Sequence, residues 1–578
     1  MGVPGFFMWL WKKYKGNNFV FDKYNLDKKK DSSLIKKVES IDYFLIDTNC
    51  MIHPECFRIL AEFNNITNQD KLENKMMDAV IEYIEKTVNY VNPKKGVFIA
   101  IDGVAPIAKV KQQRSRRFKS VKDRALWDSI KKKHNREISN HWNNSAITPG
   151  TEYMKKLNKK IIDWCSKQTL HIIYSSSNSP SEGEHKLLQF IRKNKKEKKK
   201  YKYVIYGLDA DLIFLSLATE LNDIFLLREA VHLNRNKPTD ILNYVWMEKV
   251  RESISDTMID LFNKELKDGK KLLNNSRLIN DFIFICYFLG NDFLPHLPSL
   301  NIAKNGLDDL LNVYIKNLID NKISYLINVK SKNKINQKVF NKLIEKLSKD
   351  EDVLLIQNHS KKRRRYGSQS SDPYDREVHK IENLMFKIED PVMLGSGKSK
   401  DWELRYYKHY FGVLEDEKES FVEEMSKQYL LGLKWVTLYY FDKCPSWNWY
   451  FPYDHPPFLK DLNKYTNKYK FNSFKFKEGK ALKPFVQLLC VLPPQSSYLL
   501  PKPLRKIMHN SKSTVAQLYP NSFKQDFIGK GRYWMGIPYL PPLEIELVKR
   551  TFEKYKKKLS ENDKNKNKVV KNYIFNEK

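Results

Sequence analysis

Short apolar runs, rich in β-branched and aromatic side chains, recur along the first half of the chain. Four of them have the length of buried strands, at residues 43–46, 97–101, 171–174 and 203–206. Apolar residues at helical spacing also occur, for example at Leu187, Leu188 and Ile191. Because strands that alternate with helices form mostly parallel sheets, the pattern predicts an α/β fold with helices flanking the sheet.

Acidic residues stand at or just beyond the end of each run. In open α/β sheets ligands bind at the carboxyl ends of the strands, so side chains that follow different strands can meet at one edge. A further apolar segment, residues 282–289, is closed by Gly290 and leads to a last aspartate. The sequence therefore predicts seven carboxylates at one edge of the sheet: Asp47, Asp102, Glu182, Glu184, Asp209, Asp211 and Asp292.

So many neighbouring carboxylates repel one another, and keeping them ionised requires cations between them. Carboxylate oxygens are ligands that Mg²⁺ and Mn²⁺ prefer, and paired ions of this kind catalyse phosphoryl transfer. One aspartate at the end of a strand is more often a helix cap than a metal ligand. The repetition of the pattern, with Asp209 and Asp211 one residue apart, favours a site for two Mg²⁺ or Mn²⁺ ions.

A basic helix face is predicted beside this edge. Pro106 suits the first position of a helix, and helical spacing places four later residues on one side. This basic helix face consists of Lys109, Gln113, Arg116 and Arg117. Such a face is usually solvated. Because its helix would begin beside Asp102, and because guanidinium groups suit a terminal phosphate, it is also a candidate anion site.

The overall charge favours a polyanionic substrate. The 578 residues include 103 Lys and Arg against 68 Asp and Glu, for a net charge of +35. Basic proteins attract nucleic acids, although lysine-rich usage also follows from an AT-rich genome. The six cysteines form no paired motif, so an intracellular, reducing compartment is expected. No apolar run approaches the length of about 18 residues that a membrane span needs.

Composition divides the chain into four parts. Residues 1–330 carry the strand and carboxylate pattern and are the predicted catalytic domain. Residues 331–400 are predicted to be a polar, basic linker, 401–550 a second and mainly helical region packed against the first, and 551–578 a frayed basic tail. The cluster Lys361–Arg365 in the linker is a candidate nuclear signal, and a cytoplasmic location is otherwise favoured.

Several segments closely resemble the eukaryotic 5′→3′ exoribonuclease (XRN) family. They include Met1-Gly2-Val3-Pro4, Ile101 to Pro106, Ile147 to Glu152, Glu182 to Lys186, Tyr206 to Asp211, Gly290 to Pro295 and Cys444 to Trp449. The resemblance implies a PIN- or flap-nuclease-like core that degrades single-stranded RNA processively from a 5′-monophosphate end. It implies nucleoside 5′-monophosphates as products, and a compact member without the long C-terminal extensions of the large cytoplasmic ones.

The resemblance also implies roles for individual residues. The seven carboxylates match the family's catalytic, metal-binding positions, and the basic helix face matches its 5′-phosphate pocket. His53 matches a residue that stacks on a base near the 5′ end, and one of Trp447 and Trp449 is the candidate for a second stacking platform. Ile107 is a departure, since the family commonly has a basic residue there. A monomer is expected, and no protein partner is predicted.

Two other functions stay open at the level of the sequence. A flap-type, structure-specific DNA endonuclease would share the carboxylates, but such enzymes follow their last aspartate with a Gly-rich helix–hairpin–helix turn. Here Asp292 precedes Phe293-Leu294-Pro295-His296-Leu297-Pro298, which argues against duplex binding. A catalytically inactive RNA-binding scaffold would lack one or two of the carboxylates, and all seven are present.

Overall fold

The computed structural model describes residues 5–63, 68–138, 142–230, 241–266, 271–302, 306–360 and 366–577. Its strands are β1 Val20–Phe21, β2 Tyr43–Asp47, β3 Gly96–Ala100, β4 Ile172–Ser175, β5 Tyr203–Tyr206, β6 Ile224–Glu229, β7 Leu242–Trp246, β8 Gln525–Asp526, β9 Ile537–Pro538 and β10 Tyr573–Phe575. Eight of them form one sheet in the order β1-β7-β6-β5-β2-β3-β4-β10, while β8 and β9 pair separately.

The centre of the large sheet is parallel. Strands β6, β5, β2, β3 and β4 run parallel to one another, and β1, β7 and β10 add antiparallel edges. In the central register Ile46 of β2 lies opposite Ile99 of β3 and Tyr206 of β5. The chain therefore leaves all three strands at the same level, so the aspartates that follow them share one edge. The predicted mostly parallel α/β sheet is confirmed.

Helices cover both faces of this sheet. Those of the first half are α1 Phe6–Tyr14, α2 Ser32–Glu39, α3 Asn49–Glu62, α4 Gln69–Val91, α5 Ile107–Lys133, α6 Glu152–Cys165, α7 Gly183–Lys196, α8 Asp211–Ala218, α9 Met247–Glu265 and α10 Asn275–Cys286. Helices α3, α4 and α6 pack on one face with Ile46, and α1 and α7 to α10 pack on the other with Leu45. Because both faces are buried, the strands are almost continuously apolar.

The second half is mainly helical and packs directly on the first, as predicted. Its helices are α11 Gly306–Asp320, α12 Gln337–Ser360, α13 Pro373–Glu382, α14 Ser399–Phe411, α15 Lys418–Phe441, α16 Leu459–Tyr465, α17 Pro484–Val491, α18 Lys502–His509, α19 Ile545–Lys556 and α20 Glu561–Lys566. Helix α15 belongs to the same core as α1 and α7 to α10. Helices α17, α18 and α19 pack on α5 through a separate core.

The segment 331–400, predicted to be a linker, differs from that interpretation in its first part. Helix α12 buries Phe340, Leu343 and Leu347 at spacings of three and four residues. This stripe packs against α11 and α16, so α12 is part of the core of the helical half. The polar composition that suggested a linker belongs to the exposed face of the helix. Helix α13, in contrast, buries none of its own side chains.

The C-terminal segment, predicted to be a frayed tail, is ordered against the sheet. Strand β10 pairs with β4, with Ile574 opposite Ile173. Just before β10, the carbonyl of Val570 accepts a hydrogen bond from the Ser179 hydroxyl at 2.9 Å. The segment covers the edge strand, which would otherwise expose unpaired backbone groups. Its many lysines hid this strand from a reading of composition.

Two further expectations concern the apolar segment before Asp292 and the segments outside the described residues. The apolar residues 282–289 form the end of α10 and a short 3₁₀ turn at Tyr287–Leu289, so Asp292 follows a helix instead of a strand. The motif Met1–Pro4 and the basic cluster Lys361–Arg365 lie outside the described residues. No helix in the described ranges is long and apolar enough to cross a membrane.

The assignment of α12 to the core predicts a large effect of truncating its buried face. Leu343→Ala should lower the free energy of unfolding by about 2–5 kcal/mol, because it leaves a cavity beside Phe340 and α16. The exposed Lys349→Ala on the same helix should change it by less than about 0.5 kcal/mol. Urea unfolding followed by tryptophan fluorescence measures both. If both variants change the free energy of unfolding by equally small amounts, the assignment of α12 to the core is wrong.

Candidate active site

A cavity of about 560 Å³ opens at the carboxyl edge of the parallel strands. Carboxylates and the residues of the basic helix face both line it. The polar and charged lining residues are Asp47, Asn49, His53, Asp102, Lys109, Gln113, Arg116, Arg117, Ser120, Asn144, Ser145, Glu182, Glu184, Asp209 and Gln487. Five of the seven predicted carboxylates thus line one cavity, and Asp211 and Asp292 lie buried behind it.

Glycine at position 183 allows the start of α7 to approach two of these carboxylates. The Gly183 N–H donates to Asp102 Oδ1 at 2.6 Å. A Cβ at this position would lie 2.7 Å from Asp47 Oδ1, closer than any side chain tolerates. Glutamates on either side, Glu182 and Glu184, are carried to the same edge by this close approach. The Glu-Gly-Glu spacing is therefore required by packing as well as by charge.

Lys109 lies among the carboxylates. Its ammonium nitrogen is 2.6 Å from Glu182 Oε1 and 2.6 Å from Asp292 Oδ2. Burial lowers the pKa of Lys109, but the two carboxylates more than offset this and hold it well above its usual value. For Asp292 the effects have the opposite signs. Burial raises its pKa, but the positive charge of Lys109 outweighs burial, so the pKa of Asp292 lies below its usual value. Lys109 is thus a permanent counter-ion at this edge.

The other buried carboxylates hold protons more strongly than usual. Burial and the charge of Asp102 raise the pKa of Asp47 to about 8, and Asp47 Oδ1 has no hydrogen-bond partner among the described residues. Burial and the charge of Asp209 raise the pKa of Asp211 to about 7. Burial and the charge of Asp211 raise that of Glu184 well above its usual range. One lysine does not neutralise this group of acids.

These residues fit a divalent cation. They supply only hard oxygen donors, and their raised pKa values report negative charge that lacks a sufficient counter-charge. Within the described ranges, no three of them converge closely enough to form a complete ligand shell. The chemistry of the donor set, and not a preformed cage, favours the ion.

The other three residues of the basic helix face, Gln113, Arg116 and Arg117, also line the cavity. Arg117 Nη2 donates to the Thr148 hydroxyl at 2.8 Å, while its Nη1 is buried without a partner among the described residues. Burial, and then repulsion from Arg116, lowers the pKa of Arg117 to about 10, so it stays charged at neutral pH. Gln113 and Arg116 line the same part of the cavity. An anion there would complete the hydrogen bonds of Arg117.

His53 lines the cavity beside these arginines. It lies in the second turn of α3, the helix that begins just after Asp47. Burial lowers the pKa of His53 to about 4, and the positive charges of Arg116 and Arg117 add to that shift. The imidazole is therefore neutral at physiological pH. A neutral imidazole that lines the cavity is able to stack on a nucleobase without adding charge.

Comparison with protein families decides the relationship. A model of the XRN 5′-3′ exonuclease N-terminus matches residues 1–230, and one of the Xrn1 helical domain matches residues 272–390 and 376–578. The chain belongs to the XRN family. The two matches cover the α/β half and the helical half, and the second extends through α12 and β10.

Relatives of this XRN chain span eukaryotes. It is 28% identical to the 5′-3′ exoribonuclease 2 homolog of Drosophila melanogaster, covering 100% of this chain and 73% of the relative. It is 29% identical to 5′-3′ exoribonuclease 2 of Arabidopsis thaliana, covering 100% and 69%. It is 27% identical to human 5′-3′ exoribonuclease 1, covering 98% of this chain and 35% of that protein.

The two tryptophans predicted to stack on a base lie outside the cavity lining of this XRN chain. The Trp449 ring packs on Trp435, with ring centres 5.2 Å apart, and touches the backbone at Gly432. The Trp447 carbonyl accepts a hydrogen bond from the Ile107 N–H at 3.0 Å and so caps the first turn of α5. Trp449 therefore packs against α15, and a stacking role for one of Trp447 and Trp449 stays a prediction.

Some residues of the site carry no signal in the sequence. The hydroxyls of Tyr439 and Tyr440, in the helical half, donate to Glu182 Oε2 and Asp211 Oδ1 at 2.6 and 2.8 Å. Lys186 donates to the carbonyls of Ile101 and Ser176 at 2.6 and 2.9 Å and joins the ends of β3 and β4. Only the three-dimensional structure brings these groups to the acidic edge.

The raised pKa values predict how the metal-free XRN chain responds to pH. Native Asp47 and Asp211 keep protons, up to about pH 8 and pH 7, that the unfolded chain releases near the ordinary value of 3.8. The native state therefore binds more protons in this window, and stability falls as the pH rises through it. In EDTA the melting temperature should fall between pH 5 and pH 8.

Two comparisons check this pH dependence. Asp47→Asn should flatten the melting curve against pH, because amide replaces the titrating carboxyl. Excess Mg²⁺ should also flatten it, because a bound cation favours the ionised carboxylates. A melting temperature in EDTA that rises steadily with pH would contradict the assigned direction.

Proposed function

We propose that this chain is a processive 5′→3′ exoribonuclease that degrades single-stranded, 5′-monophosphorylated RNA to nucleoside 5′-monophosphates with two Mg²⁺ or Mn²⁺ ions. One observation carries the proposal: a single cavity is lined both by carboxylates and by Arg117, whose buried Nη1 has no hydrogen-bond partner among the described residues. Membership of the XRN family supports the 5′→3′ direction. The names of its relatives, exoribonucleases 1 and 2, support RNA as the substrate.

The division of labour follows from charge. The carboxylates Asp47, Asp102, Glu182, Glu184, Asp209, Asp211 and Asp292 would hold the divalent ions, which supply Lewis-acid stabilisation and an activated water. Arg117 and Arg116 would bind the 5′-phosphate through charge-assisted hydrogen bonds, with Gln113 as a further polar contact. His53 would stack on the first base, which reads any nucleotide alike.

The contacts of Lys109 support a place for it between the carboxylates and the rest of the 5′-phosphate pocket. Its ammonium nitrogen lies 2.6 Å from Glu182 Oε1 and 2.6 Å from Asp292 Oδ2. A cation there would stabilise charge that develops on the phosphate under attack. The proposed 5′-phosphate pocket keeps its predicted members Lys109, Gln113, Arg116 and Arg117.

A monomer in an intracellular compartment, with cytoplasmic location favoured, remains the proposed setting. The six cysteines are free thiols, which supports a reducing environment. One chain supplies both the carboxylates and the basic residues of the cavity, so the proposed reaction needs no second copy.

One assay tests the function directly. RNA labelled at the 5′ end and, separately, at the 3′ end is incubated with Mg²⁺. Only the 5′-labelled RNA should release labelled mononucleotides at the earliest times. Shortening of the 5′-labelled RNA into a ladder, or cleavage of a DNA flap at equal rate, would refute the proposal.

Removing one carboxylate should abolish hydrolysis and leave RNA binding nearly intact. In Asp209→Asn or Asp211→Asn the ligand set loses a charge, while the arginines that contact RNA are unchanged. Single-turnover rates should fall by at least about a thousandfold, as expected when electrostatic stabilisation of the transition state is lost. Fluorescence anisotropy with 5′-monophosphate RNA in Ca²⁺ measures binding. Near-normal turnover in either variant would exclude the proposed metal site.

Removing Arg117 should affect one kind of 5′ end. A hydrogen bond to a charged group contributes roughly 1.5–3 kcal/mol, so Arg117→Ala should slow decay of 5′-monophosphate RNA by about tenfold to a hundredfold. Decay of 5′-hydroxyl RNA should change little, because that end offers no phosphate to Arg117. RNA with a 5′-triphosphate should be a poor substrate for the wild type, since a pocket built for one phosphate has no room for three.

Arg124→Ala provides the matched control, because Arg124 lies on α5 outside the cavity lining. It should leave both substrates unaffected. If Arg117→Ala slows 5′-monophosphate and 5′-hydroxyl RNA equally, Arg117 contacts the RNA backbone generally and the end-binding pocket lies elsewhere.

A further inference from the structure

Helix α15 of the helical half contacts three of the acidic segments, those that carry Glu182, Asp211 and Asp292. The Tyr439 hydroxyl donates to Glu182 Oε2 at 2.6 Å, and the Tyr440 hydroxyl donates to Asp211 Oδ1 at 2.8 Å. About three turns earlier, the Tyr429 hydroxyl donates to the Pro295 carbonyl at 3.2 Å, three residues beyond Asp292. One helix therefore holds side chains or backbone from three separate segments.

The two tyrosines that reach carboxylates are obligatory donors. A tyrosine hydroxyl carries one proton that it can donate, whereas an ionised carboxylate oxygen only accepts. Each hydroxyl keeps its proton and presents it to one carboxylate oxygen. A neutral donor fixes the rotation of a carboxylate without neutralising it, so the negative charge stays available to a cation.

Packing leaves these tyrosines little freedom to move. The Tyr439 ring lies 3.6 Å from the ring of His185, next to Glu184, and stacks on Trp435 with centres 4.7 Å apart. Trp435 in turn stacks on Trp449. The Tyr440 ring packs edge-on against Tyr287, in the turn that leads to Asp292. Both rings are almost completely buried.

Close backbone contact fixes the helix itself. At Gly432 an added Cβ would lie 2.6 Å from Leu294 and 3.0 Å from the Trp449 ring. Helix α15 thus lies directly against the loop that carries Asp292 at one end and against Glu182 and Asp211 at the other. The orientation of two acidic side chains is set by an element that contributes no carboxylate of its own.

We propose that Tyr439 and Tyr440 are positioning residues that hold Glu182 and Asp211 in the orientation in which they bind divalent cations. The inference rests on the proposed metal-dependent function and adds the helical half to the metal site. Hydrogen bonds to metal ligands from outside the ligand shell commonly govern metal affinity. Loss of either hydroxyl should therefore weaken metal binding and leave the 5′-phosphate pocket unchanged.

Tyrosine-to-phenylalanine variants test this, because they remove one hydroxyl and keep the ring. Binding of Mn²⁺ to Tyr439→Phe and Tyr440→Phe, without RNA, is measured from the electron paramagnetic resonance signal of free Mn²⁺. Affinity should fall by about 10- to 100-fold. Binding of 5′-monophosphate RNA in EDTA should stay at the wild-type level. Hydrolysis should recover as the Mn²⁺ concentration is raised, which a merely misfolded enzyme would not do.

Tyr407→Phe is the matched control. The Tyr407 hydroxyl donates to Asp461 Oδ2 at 2.6 Å, so this variant breaks an equally buried tyrosine–carboxylate bond away from the cavity. It should lower the melting temperature in EDTA without changing Mn²⁺ affinity. If the two site variants behave in the same way as Tyr407→Phe, the tyrosines are structural and the proposal is wrong.

A double-mutant cycle keeps the proposal testable if single variants lose stability. Where Tyr440 acts through Asp211, Tyr440→Phe should have little further effect on Mn²⁺ affinity in an Asp211→Asn background. Additive effects would overturn the proposal. Failure of the wild type to bind Mn²⁺ would refute the metal-dependent function itself, whereas wild-type affinity in both tyrosine variants would refute only the role of α15.

Discussion

Negative charge confined to one edge of a parallel sheet is the constraint on which the rest of this structure depends. The register of β2, β3 and β5 brings their ends to one level, so the acidic residues that follow them lie at the same edge of the sheet. Burying them costs free energy that a single lysine does not offset. Burial and the charges of neighbouring acids raise the pKa values of Asp47 and Asp211, so both side chains hold protons more strongly than usual.

That constraint explains why the two halves of the chain are not separable modules. Helix α15 and the helices on the α7 face share one core, so the helical half buries the same side of the sheet from which Glu182 and Asp211 project. The chain then returns to the sheet, where β10 pairs with β4 and Val570 binds the loop before Glu182. Both α15 and the C-terminal segment therefore contact the acidic edge or the loops beside it, and the geometry of this edge depends on the whole fold.

The predictable parts of the site are those governed by local pattern plus one topological rule. Apolar runs identify β2, β3 and β5, and the rule for carboxyl ends collects the seven acids. Helical spacing puts Lys109 and Arg117 on one face, but it carries no information on the approach of Asp292, which comes from the end of α10. The periodic Phe340, Leu343 and Leu347 of α12 were readable, yet surrounding lysines and asparagines masked them.

Under the proposed function, helix α5 explains why every product would have the same length. Lys109 at its first turn lies among the carboxylates, and Arg117 faces the other part of the cavity two turns later. At a rise of 1.5 Å per residue these positions are about 12 Å apart along a rigid helix. The anchor for the RNA end and the place of cleavage therefore keep a fixed separation. A fixed separation between end and scission, repeated after every cut, is what distinguishes an exonuclease from an enzyme that cuts at internal sites.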